Sequence, residues 1–143
     1  MAATVYYEDI EAGSELPTLV KCPTTMQLVK FAGASGDYYQ IHYDKDFAQA
    51  NGLPRVIVHG WLVLSFLGQM ITDWMGEGGV LVKLAGSYKG MNLVGEEIFC
   101  YGKVTKKYLE DNRYLARLEI WAENPRGERT VSGSAVVTLP SHA

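Results

Sequence analysis

Val56-Ile57-Val58-His59-Gly60-Trp61-Leu62-Val63-Leu64-Ser65-Phe66-Leu67-Gly68-Gln69-Met70-Ile71 decides how this chain folds. From Gly60 to about Met75, where Gly76 supplies a stop, the residues are apolar nearly all round a helical wheel. Such a helix belongs in the middle of a fold, covered on most sides. With Gln69, Thr72 and Asp73 inside it, it is too short and too polar to cross a bilayer. Downstream, residues 80–89, 97–107, 113–122 and 129–139 carry β-branched and aromatic residues in partial alternation and read as four strands. Glu110-Asp111-Asn112 and Asn124-Pro125-Arg126-Gly127 are hairpin loops. The four strands are expected in hairpin succession.

Upstream, residues 16–22 read as an edge strand with Pro17 near its start. Thr24 and Gln27 have the spacing of a capping box for a helix running to about Gly33 or Ser35. Asp44 caps a shorter helix that stops at Asn51-Gly52. Helices segregated from a run of strands make an α+β fold, an antiparallel sheet with the long helix packed on it.

The 143 residues suit one domain, 1–143, with one core. Apolar content of 48% and charged content of 20% are ordinary for a globular chain. A formal charge of −3 gives no reason to expect nucleic acid. Cys22 and Cys100 lie far apart without metal-ligand spacing, so a reduced, cytoplasmic setting is expected. Residues 1–8 lack the basic-then-apolar pattern of a secretory signal.

The chemistry sits in Ser35-Gly36-Asp37-Tyr38-Tyr39-Gln40-Ile41-His42. Asp37 and His42 are five residues apart. That is about 140° round a helix, and opposite faces of a strand. They converge only if the chain makes a tight irregular turn, for which Gly36 supplies backbone freedom. Converged, an acid and an imidazole can activate water. Gly60, at a helix start, can offer an unobstructed N–H to a developing oxyanion. The plainer alternative is that Asp37 caps a helix and His42 is a half-buried polar residue.

With these residues in view, the chain resembles the MaoC-like dehydratases, the (R)-specific enoyl-CoA hydratases of the hotdog fold. Their motif runs Asp-x-Asn-Pro-Ile/Leu-His, then a short helix, then Ile-x-His-Gly-Met. Asp37, Ile41 and His42 fall on the first half, Val56 to Trp61 on the second, and Leu93-Val94-Gly95-Glu96 resembles a later turn. Tyr39-Gln40 replaces Asn-Pro and Trp61 replaces Met, which implies a reshaped site with acid and base retained. The resemblance implies a sheet wrapped round the helix, paired into a homodimer or higher homo-oligomer with the acyl pocket at the subunit interface. It implies His42 as general base, Asp37 as the group that holds the water and completes proton delivery, and the Gly60 N–H as oxyanion donor.

The substrate implied is an acyl-CoA or acyl-carrier-protein thioester of fatty-acid metabolism, with no cofactor and no metal. Tyr39, Trp61, Ser65 and Gly68 are the expected substrate-binding residues, although Ser65 and Gly68 equally suit close helix packing. Tyr88, Lys83 and Lys89 are either pantetheine contacts or plain surface. His59 is implied to be structural, and His142 is expected to float free. Competing readings are a hotdog thioesterase, for which Asp73 is the only acid on the long helix and lies at its far end, and one subunit of a hetero-oligomeric dehydratase.

Overall fold

The computed structural model describes residues 3–143. The long helix, α3, spans Gly60–Met75, and its final turn closes through the Gly76 N–H on the Thr72 carbonyl. Leu62, Val63, Phe66, Leu67, Met70 and Ile71 are buried, and Leu67 and Ile71 have no exposed surface. One stripe stays uncovered: Trp61, Ser65, Gln69, Thr72 and Asp73 are exposed at helical spacing. The apolar sequence therefore overstates the burial. Trp61 leaves 64% of its surface exposed at the head of that stripe.

Five antiparallel strands curl round α3 in the hotdog arrangement: β1 (Leu19–Lys21), β2 (Val80–Tyr88), β3 (Ile98–Glu110), β4 (Arg113–Glu123) and β5 (Arg129–Thr138). Their spatial order is β1-β3-β4-β5-β2. The expected edge strand over 16–22 shortens to β1, because ahead of it the chain makes only single contacts, such as the Leu16 N–H on the Gly102 carbonyl. Inward residues alternate with partly covered ones along β3, so Ile98, Cys100 and Val104 meet the helix. Burial pushes the Cys100 thiol up to about 12, leaving it an inert core residue.

Hairpin succession holds from β3 to β5 and fails for β2. The β3–β4 turn places Asp111 and Asn112 at φ 51° and 59°, the left-handed pair a tight hairpin needs. In the β4–β5 loop the Asn124 side-chain oxygen accepts the N–H groups of Arg126 and Glu128. β2, however, pairs with β5 and lies across the sheet from β3. The segment between them does not make a hairpin; it turns at Leu93–Glu96, where the Glu96 N–H donates to the Leu93 carbonyl at 3.2 Å, and binds the strand-like approach to α3. The Val58 N–H donates to the Asn92 carbonyl at 2.8 Å and the Val94 N–H to the Val56 carbonyl at 3.1 Å. A crossover thus runs beside the head of α3 and helps shape the space there.

Thr24 caps α1 (Thr25–Ser35), accepting the Gln27 N–H at 3.3 Å. Asp44 caps α2 (Lys45–Ala50) by accepting the Phe47 N–H at 3.1 Å. His142 does not float: its ring stacks on Tyr6 at 3.8 Å and its N–H donates to Glu8. The Ser141 hydroxyl also donates to Glu8 and holds that carboxyl below its ordinary value. Tethers between distant chain segments of this kind leave no local sequence signal.

Candidate active site

The chain leaves α1 through Gly36, whose φ of 79° is the left-handed conformation that favours glycine. The Ser35 hydroxyl, bonded to the Phe31 carbonyl, accepts the Asp37 N–H at 3.2 Å. One Asp37 oxygen accepts the Tyr39 N–H at 3.3 Å, and a single 3-10 turn, Gln40–His42, follows. These local bonds build the irregular turn that the five-residue spacing demands. His42 Nε2 ends 3.7 Å from the other Asp37 oxygen. Asp37 caps no helix: one oxygen braces the turn through the Tyr39 N–H, and the second faces the imidazole.

The tautomer of His42 follows from its neighbours. Nδ1 lies 2.8 Å from the Ile57 carbonyl oxygen, which can only accept. Nδ1 therefore carries a hydrogen, and in the neutral form of the ring Nε2 is bare and faces the Asp37 carboxylate. His42 is buried while Asp37 is part exposed. The imidazole is thus held in place, and the carboxylate can meet solvent.

His59 braces the pair from behind. Its ring stacks on His42 at 3.8 Å, 20° from parallel, and Phe31 meets it edge-on at 4.9 Å. Its Nε2–H donates to the Asp37 carbonyl at 3.2 Å. Burial holds its pKa below the ordinary imidazole value, and the charge of a protonated His42 lowers it further. It stays neutral, with a buried Nδ1 lone pair that has no partner among the described residues.

Asp37, His42 and His59 bring one potential ligand atom each within 4.8 Å, the raw composition of a metal centre. The bonding does not suit one. Two imidazole nitrogens are committed to carbonyl oxygens, and rings stacked face to face hold their remaining lone pairs in two separate, nearly parallel planes, which does not suit one ion shared by both.

A cavity of about 270 Å3 opens over the pair, lined among others by Asp37, His42, Gly60, Trp61, Tyr88 and Met91. A larger hollow of about 440 Å3 at the β3–β4 hairpin end has no imidazole in its lining. Gly60 is the first residue of α3, and its N–H makes no backbone hydrogen bond among the described residues. A free N–H at the head of a long helix is a ready anion donor. The Tyr88 ring lies hard against Gly60: a Cβ built there would be 2.8 Å from Tyr88 Cε1.

The other expected site residues fall in different places. Trp61 lines the cavity mouth. Tyr39 is exposed and stands edge-on to His42 at 6.3 Å. The Ser65 hydroxyl donates to the Trp61 carbonyl at 2.8 Å, on the exposed stripe of α3. Gly68 faces Leu84 of β2, in helix–sheet packing. Neither Ser65 nor Gly68 lines the cavity. For Tyr88 the sequence left a pantetheine contact and plain surface open, because the pairing of β2 with β5 is what carries it to Gly60.

Comparison with known proteins agrees with this geometry. The family model for the MaoC like domain matches residues 8–118. The chain is 32% identical over 115 residues to an (R)-specific enoyl-CoA hydratase of Aeromonas caviae, covering 80% of this chain and 84% of that protein. The solved structure of the A. caviae (R)-hydratase involved in PHA biosynthesis superposes with a TM-score of 0.84 at 29% identity, covering 93% of this chain and 99% of that one. The fold also matches the ChsH1–ChsH2 complex of Mycobacterium tuberculosis, with a TM-score of 0.78 at 21% identity over 90% of this chain and 98% of that one.

Proposed function

Since this chain belongs to the family of MaoC-like domains, we propose that it adds water across the double bond of a trans-2-enoyl thioester to give an (R)-3-hydroxyacyl thioester, and catalyses the reverse dehydration. The observation that carries this reading is the setting of His42, with Nδ1 on the Ile57 carbonyl and Nε2 3.7 Å from the Asp37 carboxylate, in a cavity that Gly60 also lines.

A water held by the Asp37 carboxylate and His42 Nε2 lies ready to attack C3 of the substrate. As its oxygen bonds to C3, Nε2 takes its proton, and the π electrons move onto the thioester oxygen. The Gly60 N–H stabilises that enolate, and one such donor contributes about 3 kcal/mol. The enolate then collapses as the proton passes by way of Asp37 to C2, which balances the addition. His59 keeps the imidazole planar to its stack and the Asp37 backbone in place while remaining neutral itself.

The acyl carrier is coenzyme A or a carrier protein. The thioesterase alternative lacks support here, since Asp73 is exposed on α3 and lies outside the His42 cavity. The test is loss of enoyl absorbance on crotonyl-CoA, with chiral analysis of the product. An inactive chain, or one giving the (S)-alcohol, defeats the reading.

The edge strand β2 exposes Val80 and Val82. Apolar surface next to an unpaired strand edge invites a second chain. We read it as a homodimer interface burying more than about 1,000 Å2. A partner of a different sequence is the second reading, since the matched ChsH1–ChsH2 structure is a complex of two such named chains. Sedimentation of the chain alone separates them: a dimer is expected, and a stable, active monomer overturns it.

A further inference from the structure

The close packing of Tyr88 on Gly60 has a chemical consequence. A Cβ at position 60 would stand 2.8 Å from Tyr88 Cε1 and 2.9 Å from Cδ1, closer than real Cβ contacts come. A side chain at this position would therefore have to displace the tyrosine ring. Tyr88 ends β2, the edge strand, and the same ring lines the cavity that holds Asp37 and His42. It keeps 48% of its surface exposed, so one part of the ring covers Gly60 and the rest faces open space. The phenol is uncharged at neutral pH, and burial raises its pKa further above the ordinary value.

We infer that Tyr88 is a specificity-determining residue: its ring limits the width of the slot over Gly60 and so selects which acyl groups bring their carbonyl to the Gly60 N–H. The inference rests on the hydratase reading above. A straight enoyl chain is flat from the thioester to C4 and slides beside an aromatic wall. A chain branched at C4 is wider where the wall stands. The wall is a side chain on a sheet edge, so its size can be changed without replacing the acid, the base or the glycine whose N–H is the donor.

The experiment compares kcat/KM for crotonyl-CoA and for the branched 4-methylpent-2-enoyl-CoA in the wild type, Tyr88→Ala and Tyr88→Phe. Hydrophobic walls discriminate about 10–200-fold per methylene. Tyr88→Ala is therefore expected to shift the ratio toward the branched substrate by at least about tenfold, and Tyr88→Phe, which keeps the ring, to preserve the wild-type ratio. A second pair needs no substrate. Gly60→Ala is expected to lower the melting temperature in the wild-type background and to do so less in Tyr88→Ala, where the Cβ has room. An active wild type whose ratio is unmoved by Tyr88→Ala overturns this inference alone. A wild type that hydrates neither thioester overturns the hydratase reading and this inference with it.

Discussion

His42→Asn separates the chemistry of the imidazole from its structural duties. The asparagine amide reaches the position of Nδ1 and can still donate to the Ile57 carbonyl, which His42 meets at 2.8 Å. It has nothing at the position of Nε2. Turnover should fall by about 10²–10⁴, the usual contribution of a general base. Stability should fall only by the loss of the ring that stacks on His59, because the buried hydrogen bond survives. His42→Ala loses that bond, worth about 1 kcal/mol, and leaves a buried carbonyl unpaired at a further cost of about 1–2 kcal/mol. It also removes the ring that stacks on His59 at 3.8 Å. The sum is about 2–4 kcal/mol, or roughly 6–15 °C in melting temperature for a chain of this size.

The assay pairs initial rates on crotonyl-CoA with thermal unfolding of the same preparations. Both variants should be equally slow, and only the alanine should be markedly less stable. Asp37→Asn should be slow to a similar degree, and combining it with His42→Asn should add little, because the two act as a unit. Near-wild-type hydration by His42→Asn would refute the assignment of Nε2 as base. Equal melting temperatures for the two His42 variants would refute the structural half.

Gly60→Pro removes the free N–H at a first-turn position that proline otherwise tolerates; turnover should drop by about 10²–10³, although the Tyr88 ring must shift to admit the pyrrolidine, so unfolding curves accompany the rates. His59 is held neutral with its pKa lowered by burial, so the unfolded chain takes up a proton below about pH 6.5 that the folded chain refuses. Its contribution is complete above that pH and is lost as pH falls through it, by up to about 1.4 kcal/mol per unit; urea unfolding of His59→Gln, which cannot titrate, should show a flatter acid slope than the wild type, and identical slopes would count against a neutral His59.

The sequence by itself determined whatever depends on neighbours along the chain. Thr24 and Asp44 cap their helices because a side-chain oxygen reaches an N–H three residues on. α3 is legible because sixteen residues from Gly60 to Met75 repeat one apolar pattern between a helix start and Gly76. The need for a turn between Asp37 and His42 is likewise local arithmetic, and Gly36, Ser35 and the Asp37 oxygen meet it within a few residues.

Only the tertiary structure decided what depends on strand pairing and stacking. β2 reads as a strand, but nothing in its own residues says that it bonds to β5 and stands apart from β3. That pairing alone carries Tyr88 to Gly60. The uncovered stripe from Trp61 to Asp73 cannot be seen in a helix that reads as apolar nearly all round, because what a helix face meets is fixed by how far the sheet curls. The His42–His59 stack joins residues on opposite sides of α2, and its hydrogen bonds to the Ile57 and Asp37 carbonyls come from backbone, which carries no residue-type signal. Local chemistry sets the parts of the site, and long-range backbone hydrogen bonding brings them to one cavity.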